Sequence, residues 1–218
     1  IASGGAAFRF IVGRYGSGKS FLLQTIRNYA TEKGFVVVDA DLSPERRLQG
    51  TRGQGLATYK ELIRNMSTKT KPEGGALSLI LDRWISNVQQ EVMASENLSV
   101  TSAQLPGLVE KRISAVIYSL NEMVHGFDFA RLLTLYYQAY IAGDDETKAK
   151  WFRGEYGTKT EARQELGVHM VITDDDWYEY LKLFACFLKQ AGYAGMLILI
   201  DELVNIYKIP NAITRQYN

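Results

Sequence analysis

Hydrophobic residues follow two kinds of pattern along this chain. Three short runs are apolar almost throughout: residues 8–12 (FRFIV), 35–40 (FVVVDA) and 196–200 (MLILI). The first ends at a glycine, the second is β-branched, and the third is followed at once by Asp201 and Glu202. All three read as strands, with the first buried and the second covered on both faces, as in a parallel sheet. Between the first two, Phe21, Leu22, Ile26 and Tyr29 recur at helical spacing over 21–33, and Gly34 stops that segment. Strand, helix and strand make a βαβ unit, so a parallel sheet with right-handed crossovers is expected.

After Asp41 the pattern changes. Residues 43–55 are polar and rich in arginine and glycine, and from there to about Gly195 apolar residues recur at helical spacing. The spacing predicts helices near 54–66, 76–97, 107–124, 128–142, 144–153 and 174–191, with no strand of five or more residues over 43–167. The last helix has Thr173 as its cap, Asp174, Asp175 and Asp176 in the first turn, and Trp177, Leu181, Phe184 and Leu188 on one face. The three aspartates therefore read as helix-start chemistry rather than as a metal site. Residues 154–167 read as a loop or a short surface helix. A crossover needs only a dozen or more residues, so the excess over 42–195 predicts a helical subdomain packed on one side of the sheet. The expected organisation is an N-terminal part of the core at 1–53, a mainly helical insertion at 54–191, and a last strand with the start of the next element at 192–218.

Composition narrows the partners without naming one. The 218 residues carry 25 Lys and Arg against 24 Asp and Glu, a net charge of +1, so no global basic field announces nucleic acid or an anionic membrane. A local basic patch remains compatible with that balance. The single cysteine, Cys186, excludes an internal disulfide and a cysteine-rich zinc site, and suits a reducing, cytoplasmic setting. Its place on the apolar face of the 174–191 helix predicts burial. His125 and His169 are too few and too far apart for a metal cluster. No apolar run is long enough to span a bilayer. The chain begins at Ile1 with neither methionine nor a signal-peptide pattern, which reads as a piece of a longer cytosolic protein.

The strongest chemical signal is Gly13, Arg14, Tyr15, Gly16, Ser17, Gly18, Lys19 and Ser20, with Phe21 next, between a predicted strand and a predicted helix. It matches G-x-x-x-x-G-K-[ST], the Walker A phosphate loop. Glycines let successive N–H groups turn inward on phosphate oxygens, and the helix opening there adds its unpaired N–H groups and positive dipole end. Lys19 supplies a charge to the β- and γ-phosphates, and the Ser20 hydroxyl is the Mg²⁺ ligand of the motif. The side chain of Tyr15 must project outward. Covering a nucleotide and packing on the helical insertion are both open to it.

The second signal is the strand ending in Asp201 and Glu202. A carboxylate at the end of a buried strand is unexpected unless it meets a cation, and Asp201 fits the acid that orients the magnesium shell opposite Ser20. Glu202 is placed to polarise a water for attack on the γ-phosphate. The alternative is that it caps the helix that follows.

These residues resemble the P-loop NTPase superfamily, specifically its branch with an added catalytic glutamate, which includes AAA+ ATPases. The chain also resembles the ATP-binding proteins of BREX-type phage-defence loci and their P-loop relatives. That likeness rests on residues 13–20, on 40–48 (ADLSPERRL), on 151–155 (WFRGE), on 159–163 (KTEAR) and on Asp201-Glu202. The resemblance implies an α/β fold with a parallel P-loop sheet flanked by helices, and a cytosolic ATPase using ATP and Mg²⁺. It implies action on DNA or with other subunits in a larger assembly, with oligomerisation open. It also implies a sensor strand lying between the first and third strands, and arginine-bearing elements, which residues 203–218 are too few to hold.

Weaker candidates have plainer readings. Arg46, Arg47 and Arg52 suit DNA, a neighbouring subunit's phosphates or surface acids, with solvated surface favoured. Trp151 reads as an anchor of the helical layer, with Arg153, Glu155 and Tyr156 beside it, and Tyr136, Tyr137 and Tyr140 read as core. The function expected is Mg–ATP hydrolysis to ADP and phosphate, used as a switch or motor. Its rivals are a non-hydrolysing nucleotide-gated scaffold and a phosphotransferase. No Asn-Lys-x-Asp guanine motif is present.

Overall fold

A computed structural model of the chain describes residues 5–120 and 122–218. Positions 1–4 of the expected 1–53 unit and position 121 of the expected 107–124 helix lie outside the described residues. Two strands, β1 (Phe35–Asp41) and β2 (Gly195–Asp201), pair in parallel, with Phe35 opposite Gly195 and Asp41 opposite Asp201. Helix α1 (Lys19–Glu32) precedes β1. Among the described residues seven α-helices lie between the strands: α2 (Gln54–Arg64), α3 (Leu77–Glu96), α4 (Leu105–Ile117), α5 (Gly126–Ala142), α6 (Asp145–Phe152), α7 (Lys159–Leu166) and α8 (Trp177–Gln190). A 3₁₀ turn (Leu203–Lys208) and a short helix α9 (Ala212–Gln216) follow β2.

The period-two geometry of the strands sorts their side chains between two layers. Val36, Val38 and Ala40 enter the main core with the crossover helices, and Met196 and Ile200 pack against it. Val37 and Leu199 face the other way, onto Ala30, Leu23 and Ile26 of α1. Thus β1 is covered on both faces, and Val36, Val37 and Val38 are fully buried. One edge of β1 pairs with β2, and at the other Ser67 exchanges backbone hydrogen bonds with Val37 at 3.0 and 2.8 Å.

The helical body is an aromatic core. Trp151, Phe152, Phe129, Phe184 and Tyr180 meet edge to face, which turns positive ring edges onto negative faces. Two buried polar handles find acceptors: the Trp151 indole N–H donates to the Met170 carbonyl at 2.8 Å, and the Tyr59 hydroxyl to the Phe152 carbonyl at 2.6 Å, whereas the buried Tyr180 hydroxyl has no partner among the described residues. Tyr136 and Tyr137 are buried in the same core.

Three expectations meet the structure here, and two of them need correction. Residues 8–12 form no strand: Phe8, Phe10 and Val12 lie in irregular chain and are largely exposed. Apolar alternation shows that a segment suits burial, but a strand also needs a partner edge for its N–H and C=O groups. Residues 8–12 pair with neither β1 nor β2. Second, of the two readings open for 154–167 the short helix holds over 159–166, started by Thr158, whose hydroxyl accepts from the Glu161 N–H at 3.2 Å, while Glu161 accepts from the Gly157 N–H. Third, Cys186 is exposed, because it falls just off the stripe of Leu183, Phe184, Phe187 and Leu188 that α8 buries.

Candidate functional site

The glycine loop curls because two of its residues take backbone angles that a side chain would resist. Gly16 and Gly18 have φ of 76° and 84°, in the left-handed region. The turn is closed by the Ser17 N–H donating to the Arg14 carbonyl at 3.1 Å. Helix α1 opens at Lys19 with Gly18 at its cap and no capping side chain, so its first N–H groups lack intrahelical partners. The Lys19 ammonium folds back over the loop and donates to the carbonyls of Gly13 at 3.1 Å and Arg14 at 3.0 Å. Arg14, Tyr15 and Phe21 are exposed, and Tyr15 projects entirely into solvent, so it does not pack on the helical body.

The loop meets the far end of the chain at one hydrogen bond. The Ser20 hydroxyl donates to Asp201 Oδ2 at 2.8 Å, across 181 residues of sequence. The other oxygen, Asp201 Oδ1, accepts from the Glu202 backbone N–H at 2.8 Å. The parallel register explains the meeting. Asp201 is the last residue of β2, and α1 runs back along the sheet, which puts its first turn at the strands' carboxyl ends. Glu202 has φ of 57°, rare for a residue that is neither glycine, asparagine nor aspartate. It occupies the cap position of the 3₁₀ turn, yet its carboxylate makes no capping hydrogen bond and is exposed.

The loop after β1 springs from the same corner. The Leu42 N–H donates to the Asp201 carbonyl at 3.1 Å, and the Asn205 side chain donates to the Leu42 carbonyl at 2.7 Å. Arg46 donates through Nε to the Asp41 carbonyl at 2.9 Å and faces Glu61.

Helix α8 starts three residues later than expected, with Asp176 rather than Thr173 at its cap, so the acidic triplet precedes the first turn, and Asp176 makes no capping hydrogen bond to α8. Asp176 accepts from the Thr173 N–H at 2.7 Å and from its hydroxyl at 2.9 Å, and α8 begins at Trp177. Asp174 reaches across to α2, accepting from the Gly53 N–H at 2.6 Å and the Leu56 N–H at 2.9 Å. Gly53 offers no side chain to cap α2, and Asp174 supplies the missing acceptor. A second ion site was not legible: Asp39 pairs with Arg27 of α1 and accepts from the Asn65 amide at 3.2 Å. Burial raises the Asp39 pKa above its ordinary 3.8, against the opposing pull of Arg27. Only the odd Asp within FVVVDA hinted at this partner. Among the described residues no group of three His, Cys, Asp or Glu side chains converges as a metal cluster. No described helix is long and apolar enough to cross a membrane.

Free first-turn amides and one ammonium suit an anion such as a phosphate, with a serine–aspartate oxygen pair at the neighbouring strand end. The affiliation is narrower. Residues 1–218 match the family model described as BREX system ATP-binding protein BrxC/D, and the chain belongs to that family of ATP-binding phage-defence components. It has no match among curated proteins or solved structures.

Proposed function

We propose that this chain is the P-loop core of an ATPase, binding Mg–ATP at residues 13–20 and hydrolysing it to ADP and phosphate. The observation that carries the reading is the 2.8 Å hydrogen bond between Ser20 and Asp201. A serine hydroxyl and a carboxylate are hard oxygen donors, the set Mg²⁺ prefers, and both sit at the mouth of the glycine loop. Mg²⁺, when bound there, would neutralise charge developing on the β- and γ-phosphate oxygens.

The chain's own residues supply the rest. The first-turn N–H groups of α1 and the glycine loop bind phosphate oxygens, and Lys19 exchanges its two carbonyl acceptors for the β- and γ-phosphates. Asp201 holds Ser20 in place. Glu202, one residue on, accepts the proton of the attacking water. ATP turnover then serves as a switch or motor within a larger assembly whose partners are other subunits or DNA.

The test is titration of a fluorescent ATP analogue into the wild-type chain, Lys19→Ala and Asp201→Asn. A buried charge-assisted contact contributes about 1.5–3 kcal/mol, so Lys19→Ala should lose more than tenfold in affinity. Asp201→Asn should weaken only the magnesium-dependent part. Unchanged affinity in both variants would remove the assignment.

A further inference from the structure

A second candidate site is built on the loop that follows β1. A cleft of about 410 Å³ opens between the loop after β1 and helix α9. Arg47, Gln49, Thr51 and Arg52 form one wall, and Thr214 and Tyr217 stand on the other. No acidic residue lines it. The two walls are fastened together: the Gln49 N–H donates to Asn218 Oδ1 at 2.9 Å, and the Asn218 amide donates back to the Gln49 carbonyl at 2.9 Å. Asn218 thus fixes the position of one wall against the other.

The arginines here differ from their neighbour. Arg46 is occupied by the Asp41 carbonyl and Glu61. Arg47 is anchored through its backbone, donating to the Gln54 carbonyl at 3.2 Å and accepting from the Thr58 hydroxyl at 2.7 Å. Its Nε–H is buried with no acceptor. Among the described residues neither Arg47 nor Arg52 pairs with a carboxylate. A buried guanidinium N–H without an acceptor is costly, and in a native fold it calls for an explanation.

We propose that this cleft binds single-stranded nucleic acid, with a phosphate taken by Arg47 and Arg52 and a base laid on Tyr217. A guanidinium fork matches phosphate oxygens, and Gln49, Thr51 and Thr214 add uncharged hydrogen-bonding groups. The volume exceeds what one phosphate needs and suits a nucleotide unit. Tyr217 and Ile213 are each 67% exposed at the rim, where aromatic stacking tolerates any base. The balanced net charge is no objection, because Arg47 and Arg52 make this wall locally basic and no acidic residue lines it. The site supplies the nucleic-acid partner left open above and does not depend on the glycine loop for its own contacts.

The experiment is fluorescence anisotropy of a labelled oligothymidylate with the full chain, without ATP, across a salt series. The wild type should bind, and Arg52→Glu should weaken binding at least tenfold. Arg52 is exposed, so this variant should keep its melting temperature. Arg47→Lys keeps the charge but not the fork and should also weaken binding. Each lost phosphate contact should lower the salt slope by about 0.7. Lys19→Ala should bind the oligonucleotide like wild type, which separates failure here from failure of the nucleotide reading. No wild-type binding, or unchanged binding by Arg52→Glu, would overturn the proposal. So would equal displacement by polyglutamate, which would mark an unselective polyanion patch, or by free ADP, which would mark a second nucleotide site.

Discussion

Replacing Glu202 by glycine tests whether this residue is held for chemistry or for structure. Its φ of 57° costs a non-glycine residue about 1–2 kcal/mol. Glycine removes that cost but adds back roughly 0.5–1 kcal/mol of chain entropy in the unfolded state. The carboxylate makes no capping hydrogen bond, so no compensating contact is lost. Glu202→Gly should therefore stabilise the fold by about 0.5–1 kcal/mol, a rise in Tm of roughly 1–4 °C for a domain of this size. If Glu202 is the general base, the same substitution should lower ATP turnover by about 10²–10⁴ while leaving ATP affinity intact. Glu202→Gln, which keeps size and φ, should lower turnover without moving Tm. The assays are differential scanning calorimetry, fluorescent-nucleotide titration and steady-state phosphate release with candidate partners present. A fall in Tm for Glu202→Gly would show a structural contact after all. Turnover within twofold of wild type in both variants would place the base elsewhere. A wild type that binds ATP but never turns it over would favour the nucleotide-gated scaffold.

Two further predictions concern the frame around the site. Asp174→Ala should destabilise the fold by about 1–2 kcal/mol by leaving the Gly53 and Leu56 N–H groups without acceptors, whereas Asp175→Ala, one residue on, should not; urea melts decide. Asp39 holds its proton more tightly folded than unfolded, so stability should fall as pH rises above its ordinary value of 3.8, through the raised folded value. Asp39→Asn should flatten that decline, and an unchanged slope in urea melts across acidic buffers would refute the assignment.

The nucleotide loop and the strand-end acids were legible because each depends on a few adjacent residues. The spacing of Gly13, Gly16 and Gly18 before Lys19 and Ser20 suffices to predict a curled loop opening a helix. The helical layer was legible for the same reason, since a buried stripe such as Trp177, Leu181, Phe184 and Leu188 is a local record of one face. What failed depended on distant partners. Residues 8–12 carry the right pattern, but a pattern supplies no neighbouring edge. Asp174 was read for its own helix, whereas it caps α2, 118 residues away from Leu56. Thr158 and Glu161 did hold a capping-box signal for α7. Arg47 and Arg52 were legible as candidates for DNA or phosphate, but not the cleft they line, because its second wall is fixed by Asn218 to a loop 169 residues earlier.

One geometric fact accounts for where the chemistry lies. Because β1 and β2 run in parallel, their carboxyl ends reach the same edge of the sheet, with Asp41 opposite Asp201. Parallel sheets bind ligands at that edge, since the loops leaving the strands gather there. From β1 comes the arginine loop, from β2 come Asp201 and Glu202, and from the first turn of α1 comes Ser20. The amino ends carry only tight packing, with Gly195 leaving room for the Phe35 ring. Leu42 is the hinge of the arrangement, held by Asp201 on one side and by Asn205 on the other. Any shift of Asp201 that breaks its carbonyl contact must therefore be met at the root of the arginine loop. Leu42 stands between the proposed ATP site and the arginine loop through two hydrogen bonds, and Asn205→Ala, which removes one of the two, is where their coupling would be measured.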